Sequence, residues 1–191
     1  MCRPVIALIF ILGWPSWISA EPPALMIKDL IGTNHTPWSD EKNKVVVLIF
    51  VSTDCPIANF YQPKLRRLAK QFADKGVSFY QIHPDPETSI KDAKQHVTDF
   101  EITVPVAIDH GQRLTRELRA KTTPEAFVLA PNGKTVYRGR IDDTYTKFGK
   151  RRPEPMKEDL KEAIDAVLAG NKVAIPVTES IGCLIFMEEV P

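Results

Sequence analysis

Cysteine is scarce in this sequence, with three in 191 residues. Small extracellular domains that are stabilised by disulfides carry cysteine at a much higher density, so a disulfide-dependent scaffold is excluded. Cys2 lies ahead of an apolar N-terminal stretch. The candidates for thiol chemistry in the body of the chain are therefore Cys55 and Cys183.

An excess of charge of either sign is also missing. The chain has 25 Lys and Arg residues against 24 Asp and Glu residues, which gives a formal net charge of +1. Proteins that bind nucleic acid normally carry a basic surplus on one surface. We therefore expect no nucleic-acid partner.

The sequence has no apolar run that is long enough to cross a membrane. Its N-terminus instead combines a positive charge at Arg3, the apolar segment VIALIFILG and a small residue, Ala20, before Glu21. Because the apolar segment is shorter than a transmembrane helix, this pattern predicts a secretory signal peptide over residues 1–20. The mature chain is then expected to lose Cys2, to have no membrane span, and to be secreted or periplasmic, in the cell envelope.

Motifs for cofactors are missing too. No GxGxxG motif marks a flavin or nicotinamide site. The histidines lack the short spacing of a metal-binding motif such as HxxxH; they are His35, His83, His96 and His110. We therefore predict no cofactor and no metal, and a redox activity would need an external thiol as its electron donor.

Apolar strands alternate with amphipathic helices along the chain. The run KVVVLIFV, residues 44–51, is apolar without alternation, which is typical of a central strand buried on both faces. Further strands are predicted at residues 77–83, 104–108, 125–130 and 135–141. Helices are predicted after the central strand, around Ile90, Ala93, Val97 and Phe100, around Leu114 and Leu118, and at residues 156–169.

This alternation predicts βαβ units and a mainly parallel sheet. Asn132 and Gly133 indicate a hairpin, so the sheet should end in an antiparallel pair. We predict one α/β domain over residues 21–170, with a short irregular strand pair ahead of its core. Residues 171–191, with Cys183, should form a C-terminal tail that packs back onto the domain.

Cys55 lies where the central strand gives way to a helix. A cysteine in the first turn of a helix faces unpaired backbone N–H groups and the positive end of the helix dipole. Both favour the thiolate, which is the nucleophilic form. The position predicts reactivity, whereas a buried and inert cysteine is the alternative. Asp54, directly before the thiol, should oppose ionisation and raise the pKa of Cys55.

Three segments resemble the redoxin branch of the thioredoxin fold, which includes the alkyl hydroperoxide reductase and thiol-specific antioxidant proteins and the exported TlpA-like thioredoxins. TDCPIAN places Cys55 at the family's attacking cysteine, TTPEAFVL places Pro124 at its cis-proline, and NGKTVYRGRIDD is similar to its following hairpin. The resemblance implies a central mixed sheet flanked by helices, with an N-terminal strand extension and a C-terminal tail. It also implies that Ser52, Thr53, Thr123 and Pro124 position the substrate, with the backbone before the proline free to pair with an extended segment.

The sequence departs from the family's motifs at several positions. A thioredoxin-type CxxC motif would have its second cysteine at Ala58. The peroxiredoxin pattern PxxxTxxC is matched by Ser52 in place of threonine, but its proline position is Leu48. Candidates for the family's pocket arginine are Arg138 and Arg140. Cys55 therefore lacks its usual local partner, and peroxide reduction has weaker support.

Cys183 admits two interpretations. It is either a resolving thiol on a mobile tail, which would replace the partner missing at Ala58, or a structural cysteine, free or in a static disulfide with Cys55. We predict an exported thiol oxidoreductase in which Cys55 attacks a protein disulfide or a peroxide and Cys183 resolves the product. A binding module with structural cysteines is one alternative, and a copper-handling protein using Cys55, Cys183 and His83 is another.

The acidic pair Asp142 and Asp143 follows the last predicted strand. The end of a hairpin is a common place for solvated carboxylates. We therefore expect both to be exposed, with Arg138 and Arg140 as their ion-pair partners.

Overall fold

The computed structural model describes residues 25–39 and 42–188. The predicted signal peptide, residues 1–20, lies outside them. The strands among the described residues are β1 Ile27–Lys28, β2 Asn34–His35, β3 Val45–Phe50, β4 Val77–His83, β5 Val106–Ile108, β6 Thr122–Thr123, β7 Glu125–Leu129, β8 Thr135–Gly139, β9 Tyr145–Lys147, β10 Lys150–Arg151 and β11 Cys183–Leu184. The helices are α1 Pro56–Phe72, α2 Ile90–Asp99, α3 Arg113–Leu118 and α4 Asp159–Leu168.

A five-stranded mixed sheet forms the centre of the molecule, in the order β5-β4-β3-β7-β8. β3 pairs in parallel with β4, and β4 with β5, whereas β7 and β8 are antiparallel. All residues of β3 are buried. This confirms the predicted central strand, the terminal hairpin and the thioredoxin-type mixed sheet. The predicted short strand pair ahead of the core is β1 and β2, which pair with each other.

The two faces of the sheet carry different layers, because successive strand residues point to opposite sides. Val45, Val47 and Ile49 of β3 face a core shared with α1 and α4. Val46, Leu48 and Phe50 face a second core shared with α3 and β1. No helix of residues 25–39 and 42–188 is both long and apolar enough to cross a membrane.

The buried face of α2 differs from the one predicted. Ile90 is 53% exposed, whereas Ala93 and His96 are buried. His96 is accommodated because its Nε2 lies 2.8 Å from Oδ1 of Asn59 in α1. Of the predicted face, Ala93 is buried and Val97 and Phe100 are half-buried, so the prediction is wrong for Ile90 and misses His96, a histidine that is buried with a hydrogen-bond partner.

The C-terminal tail packs along the body of the domain. The Arg138 amide donates to the Pro176 carbonyl, and the Thr178 amide donates to the Arg138 carbonyl, each at 3.0 Å. Further along, β11 pairs with β6. Both ends of the Gln112 amide then hold the tail, with Nε2 donating to the Phe186 carbonyl at 2.6 Å and Oε1 accepting from the Glu188 amide at 2.8 Å.

Asp142 and Asp143 are buried, which contradicts the expectation of solvated acids. Asp142 is 2% exposed and accepts hydrogen bonds from the Tyr61 hydroxyl at 2.6 Å and the Thr144 amide at 2.8 Å, besides an ion pair with Lys64. Asp143 is 7% exposed and accepts from two backbone amides. The carboxylates organise the chain around them, a role that residue type alone does not indicate.

The expected ion pairs with these acids are also wrong. Arg140 pairs instead with Asp159 at the start of α4, Nε to Oδ2 at 2.8 Å. Arg152 is the arginine that contacts Asp143, at 3.3 Å. Asp159 and Arg152 lie outside the strand that carries Arg138 and Arg140, so the spacing of residues along that strand could not identify them as partners.

We expect Asp142→Ala to lower the free energy of unfolding by about 2 kcal/mol, because it leaves the Tyr61 hydroxyl without its buried acceptor and leaves the Lys64 ammonium paired with the more exposed carboxylate of Glu158. Chemical denaturation followed by circular dichroism measures this. Asp165→Ala is the control, since it removes the exposed pair of Asp165 with Lys161 and should cost less than about 0.5 kcal/mol. Equal losses in the two variants would contradict the structural role of Asp142.

Candidate active site

Cys55 is the N-cap residue of α1, with Pro56 as the first helical residue. Its φ of −82° and ψ of 107° are extended, so the chain turns into the helix at this residue. Its Sγ accepts a hydrogen bond from the Ala58 amide at 3.5 Å. The thiol thus lies at the start of the helix, as the sequence predicted. A backbone N–H of the first turn, which has no partner within the helix, points at the sulfur.

Asn59 holds the loop before the thiol. Its Nδ2 donates to the Thr53 carbonyl at 2.8 Å, while its Oδ1 lies against His96. Asn59 thus connects the loop, α1 and α2. The sequence did not indicate this role, although an asparagine one turn after an N-cap cysteine is well placed for it.

Thr123 lies directly against the Cys55 thiol. The thiol donates to the Thr123 carbonyl at 2.9 Å, and the Thr123–Pro124 peptide bond is cis. The carboxylate of Glu125, which is 6% exposed, accepts from the Lys121 amide at 2.7 Å and so fixes the start of β6. Glu125 is a further positioning residue that the sequence did not indicate.

Cys183 lies at the same place, brought there by the tail. In the antiparallel pair of β11 and β6, Cys183 is opposite Thr123 and Leu184 is opposite Thr122. Because Thr123 also contacts Cys55, the register brings the two thiols together across 128 positions of sequence. Both are free cysteines in this structure.

The two thiols have opposite pKa shifts. Burial alone would raise the pKa of Cys55, but hydrogen bonds from Cys183 and the Ala58 amide stabilise its thiolate, and its pKa lies below the ordinary value. Burial, followed by the interaction with Cys55, raises the pKa of Cys183 to about 11. Cys55 therefore ionises first and Cys183 keeps its proton, whereas the sequence predicted that Asp54 would raise the pKa of Cys55.

A pocket of about 380 Å³ opens beside the thiols. Ser52, Cys55, Thr123 and Cys183 line one part of it, and the segments 84–87 and 184–188 line the rest. Thr53 faces an adjoining acidic cleft instead. Four of the predicted site residues thus come together around one cavity, while Thr53 contributes its carbonyl to Asn59 and Pro124 its cis peptide bond.

None of the described residues that line this pocket is an arginine. Arg140 is bound to Asp159, and the Arg138 backbone pairs with the tail. The charged residues that line the pocket are all acidic: Asp54, Asp85, Glu87 and Glu188. Neither Arg138 nor Arg140, the candidates from the sequence, therefore supplies the pocket with a cation that could stabilise a peroxide anion.

His83 is fully buried at the end of β4. Neither ring nitrogen has a hydrogen-bond partner among the described residues, and the ring lies edge-on to His96 with centroids 5.2 Å apart. Burial, followed by the proximity of His96, lowers the pKa of His83 to about 3. Within residues 25–39 and 42–188, no three or more His, Cys, Asp or Glu side chains form a group that could hold a metal ion. His83 is thus not gathered with Cys55 and Cys183 into a three-ligand copper site.

We expect His83 to make the protein less stable in acid. Its pKa is about 3 in the folded chain and about 6.5 in the unfolded chain, so below pH 6.5 the unfolded state binds the extra proton. Between pH 6.5 and 5 this costs about 2 kcal/mol of unfolding free energy. Chemical denaturation at pH 6.5 and pH 5 measures this. The unfolding free energy of the wild type should fall between the two pH values by about 2 kcal/mol more than that of His83→Leu. An equal fall in the two proteins would rule out a neutral buried histidine.

The sheet order, with a cysteine at the N-cap of α1 beside a cis-proline, defines a thioredoxin-fold protein. The family model for the AhpC/TSA family matches residues 18–138, which is more than half of the sequence. The chain therefore belongs to the AhpC/TSA family, and the predicted redoxin resemblance is confirmed. Cys183 lies beyond the matched residues, so its position in the site is read from this chain's own structure.

Relatives of this chain include thiol-disulfide oxidoreductases. ResA of Bacillus anthracis is 31% identical over 119 residues, which cover 62% of this chain and 67% of ResA. An uncharacterised conserved protein from Geobacillus kaustophilus has a TM-score of 0.75 at 28% identity, covering 90% of this chain and 93% of that one. A hypothetical protein from Sinorhizobium meliloti has a TM-score of 0.74 at 26% identity, covering 86% and 92%.

Proposed function

We propose that this protein is an exported thiol-disulfide oxidoreductase in which Cys55 is the nucleophile and Cys183 is the resolving thiol. The observation that carries the proposal is the juxtaposition of the two thiols at the Thr123 carbonyl, with the pKa of Cys55 lowered and that of Cys183 raised. The ResA relatives, which are named thiol-disulfide oxidoreductases, support it.

The reaction needs two exchanges. The Cys55 thiolate attacks one sulfur of a substrate disulfide, that S–S bond breaks, and the second substrate sulfur leaves as a thiolate that takes up a proton. The Cys183 thiolate then attacks Sγ of Cys55, which releases the first substrate sulfur and leaves a disulfide between Cys55 and Cys183. An external thiol donor reduces this disulfide, so the electrons lost by the donor equal those gained by the substrate.

The pKa pattern of the pair suits this order. After burial, the next cause of the raised pKa of Cys183 is its hydrogen bond and charge interaction with Cys55. Once Cys55 is in a mixed disulfide it carries no negative charge, so this contribution disappears and the pKa of Cys183 falls. Cys183 is therefore protected from ionising until its target exists.

Disulfides are better supported as substrates than peroxides. Peroxide reduction by a thiolate profits from a cation that stabilises the departing hydroxide, and the described lining of the pocket supplies carboxylates and no arginine. A disulfide needs no such group, since its leaving thiolate is a much weaker base.

Export is the part of the proposal that rests on sequence. Residues 1–20 have the pattern of a cleaved signal peptide, and an oxidising compartment lets two cysteines cycle through a disulfide. We propose residues 21–170 as the catalytic domain and residues 171–191 as a tail that supplies Cys183.

Alkylation tests the proposal directly. The reduced protein is treated with iodoacetamide across pH 5 to 10, and the labelled cysteines are identified by mass spectrometry. We expect Cys55 to react at neutral pH, with a midpoint below that of an ordinary thiol, and Cys183 to react only at much higher pH. Resistance of Cys55 at neutral pH, together with no turnover of any disulfide, would refute the proposal.

A further inference from the structure

The edge of β6 is occupied by the protein's own tail. We call residues 182–188 the tail strand. In its paired part, Cys183 and Leu184 lie opposite Thr123 and Thr122, and the Ile185 amide donates to the Lys121 carbonyl at 2.9 Å. No other described strand pairs with β6. An extended segment on a strand edge of this kind is held chiefly by main-chain hydrogen bonds.

The side chains of the tail strand contribute unevenly to its binding, since Cys183 and Ile185 pack against the two cores whereas others point to solvent. Leu184 is 72% exposed and Phe186 is 86% exposed. Main-chain bonds are independent of side-chain identity, so a different extended segment could make the same bonds to Lys121 and Thr123. The exposed positions 184 and 186 therefore place little restriction on the sequence of an incoming segment.

One position is an exception, because it has no room for a side chain. A Cβ on Gly182 would lie 2.0 Å from the Thr123 carbonyl oxygen and 3.1 Å from the Pro124 nitrogen. A segment that binds in this register therefore needs glycine immediately before the residue that faces Cys55. In the tail strand, that next residue is Cys183.

The nucleophile is enclosed, since Cys55 is 1% exposed and Cys183 of the tail strand lies within hydrogen-bonding distance of it. A disulfide in another protein cannot reach Sγ of Cys55 while the tail strand is in place. Small disulfides have the 380 Å³ pocket as a separate route.

The family resemblance already implies that the backbone before Pro124 pairs with an extended segment. We propose that in this protein the tail strand competes for that edge of β6, and that a segment of another protein displaces it only if glycine immediately precedes the reacting cysteine of that segment. The inference rests on the proposed function and names its substrate class. The incoming segment displaces the tail strand and presents its cysteine, disulfide-bonded to a second cysteine, to the Cys55 thiolate. Cys55 forms the mixed disulfide and the second cysteine leaves as a thiol.

Return of the tail strand completes the reaction. As it pairs again with β6, Cys183 attacks Sγ of Cys55, a disulfide forms between them, and the partner's cysteine leaves as a thiol together with its displaced segment. The same strand exchange thus resolves the covalent intermediate and removes the product. Because Thr178 is anchored nearby on β8, the tail strand competes at an effective concentration in the millimolar range.

Peptide binding tests the inference without any redox step. The probe is a fluorescent peptide with the sequence of residues 180–188 and serine in place of Cys183. It is titrated into the full chain as wild type, Gly182→Ala and Gly111→Ala. Gly111 is the control, because an added Cβ there meets nothing within 4 Å. We expect fluorescence anisotropy to show binding to Gly182→Ala at least about tenfold tighter than to the other two.

A second variant and a second probe guard against misfolding and non-specific binding. Ile185→Pro removes the amide that bonds to Lys121, so it should also release the tail strand and admit the peptide. A peptide with alanine in place of the glycine should bind neither variant. Faster alkylation of Cys183 in both variants reports release of the tail strand.

The outcomes separate this inference from the proposed function. Release of the tail strand without binding of the glycine peptide overturns the inference, as does equal binding of both peptides. Failure of both variants to release the tail strand also overturns it, because Gly182 and Ile185 would then not hold that strand. The proposed function is judged separately, by the alkylation of Cys55 in the wild type and its turnover of small disulfides.

Discussion

Cys55→Ser is expected to abolish disulfide turnover, with a loss of about a thousandfold or more. A serine hydroxyl at the N-cap stays protonated at neutral pH, so no anion is available to attack a disulfide. The helix should still form, since serine is a favoured N-cap residue. Turnover of a small disulfide, measured with a thiol donor in excess, checks the prediction, and far-ultraviolet circular dichroism verifies the fold.

The same variant distinguishes an enzyme from a binding module. A non-catalytic module with structural cysteines would keep its partner after Cys55→Ser, and its wild type would show no turnover. Gly111→Ala, which alters neither thiol and has open space around it, should keep wild-type turnover. Wild-type turnover that survives Cys55→Ser would assign the nucleophile to another group.

Replacing Cys183 should stop the reaction after its first exchange. Both Cys183→Ser and Cys183→Ala lack the resolving sulfur, so one equivalent of substrate should remain on Cys55 as a mixed disulfide, and steady turnover should fall about a hundredfold. Intact-protein mass spectrometry detects the adduct. Undiminished turnover, with no adduct, would show that an outside thiol resolves the intermediate.

The two Cys183 variants differ in their effect on the Cys55 pKa. A serine hydroxyl can still donate a hydrogen bond to the Cys55 thiolate, whereas alanine cannot. Cys183→Ala should therefore raise the pKa of Cys55 and slow its alkylation at pH 7, while Cys183→Ser should change it little. Equal alkylation rates in the two variants would mean that Cys183 does not stabilise the thiolate.

Local features of the site could be predicted from the sequence because they depend on neighbouring residues. The apolar run of β3, the N-cap position of Cys55 and the hairpin at Asn132 and Gly133 are all encoded within a few positions. The motif TTPEAFVL located the backbone beside the thiol. Each of these features can be predicted without knowing which residues pack against it.

Long-range features were harder to predict. An aspartate at position 142 is compatible with either a solvated or a buried carboxylate. It is buried because Tyr61 and Lys64, which are distant in sequence, supply its partners. Cys183 is similar, since its position follows from the pairing of β11 with β6, and a pair of two-residue strands has no periodicity to detect. On α2, the burial of His96 was missed because it depends on the distant Asn59.

The part of the tail before the tail strand has a separate consequence for solubility. β8 is the last strand of the central sheet, and an unpaired edge strand is a template for aggregation. Residues 176–178 cover part of that edge through their bonds with Arg138. Since Gly139 lies too close to Thr178 to admit a side chain, this cover fits tightly against the strand. A chain cut after residue 171 would lose this protection along with its second thiol, so self-association would accompany the loss of chemistry.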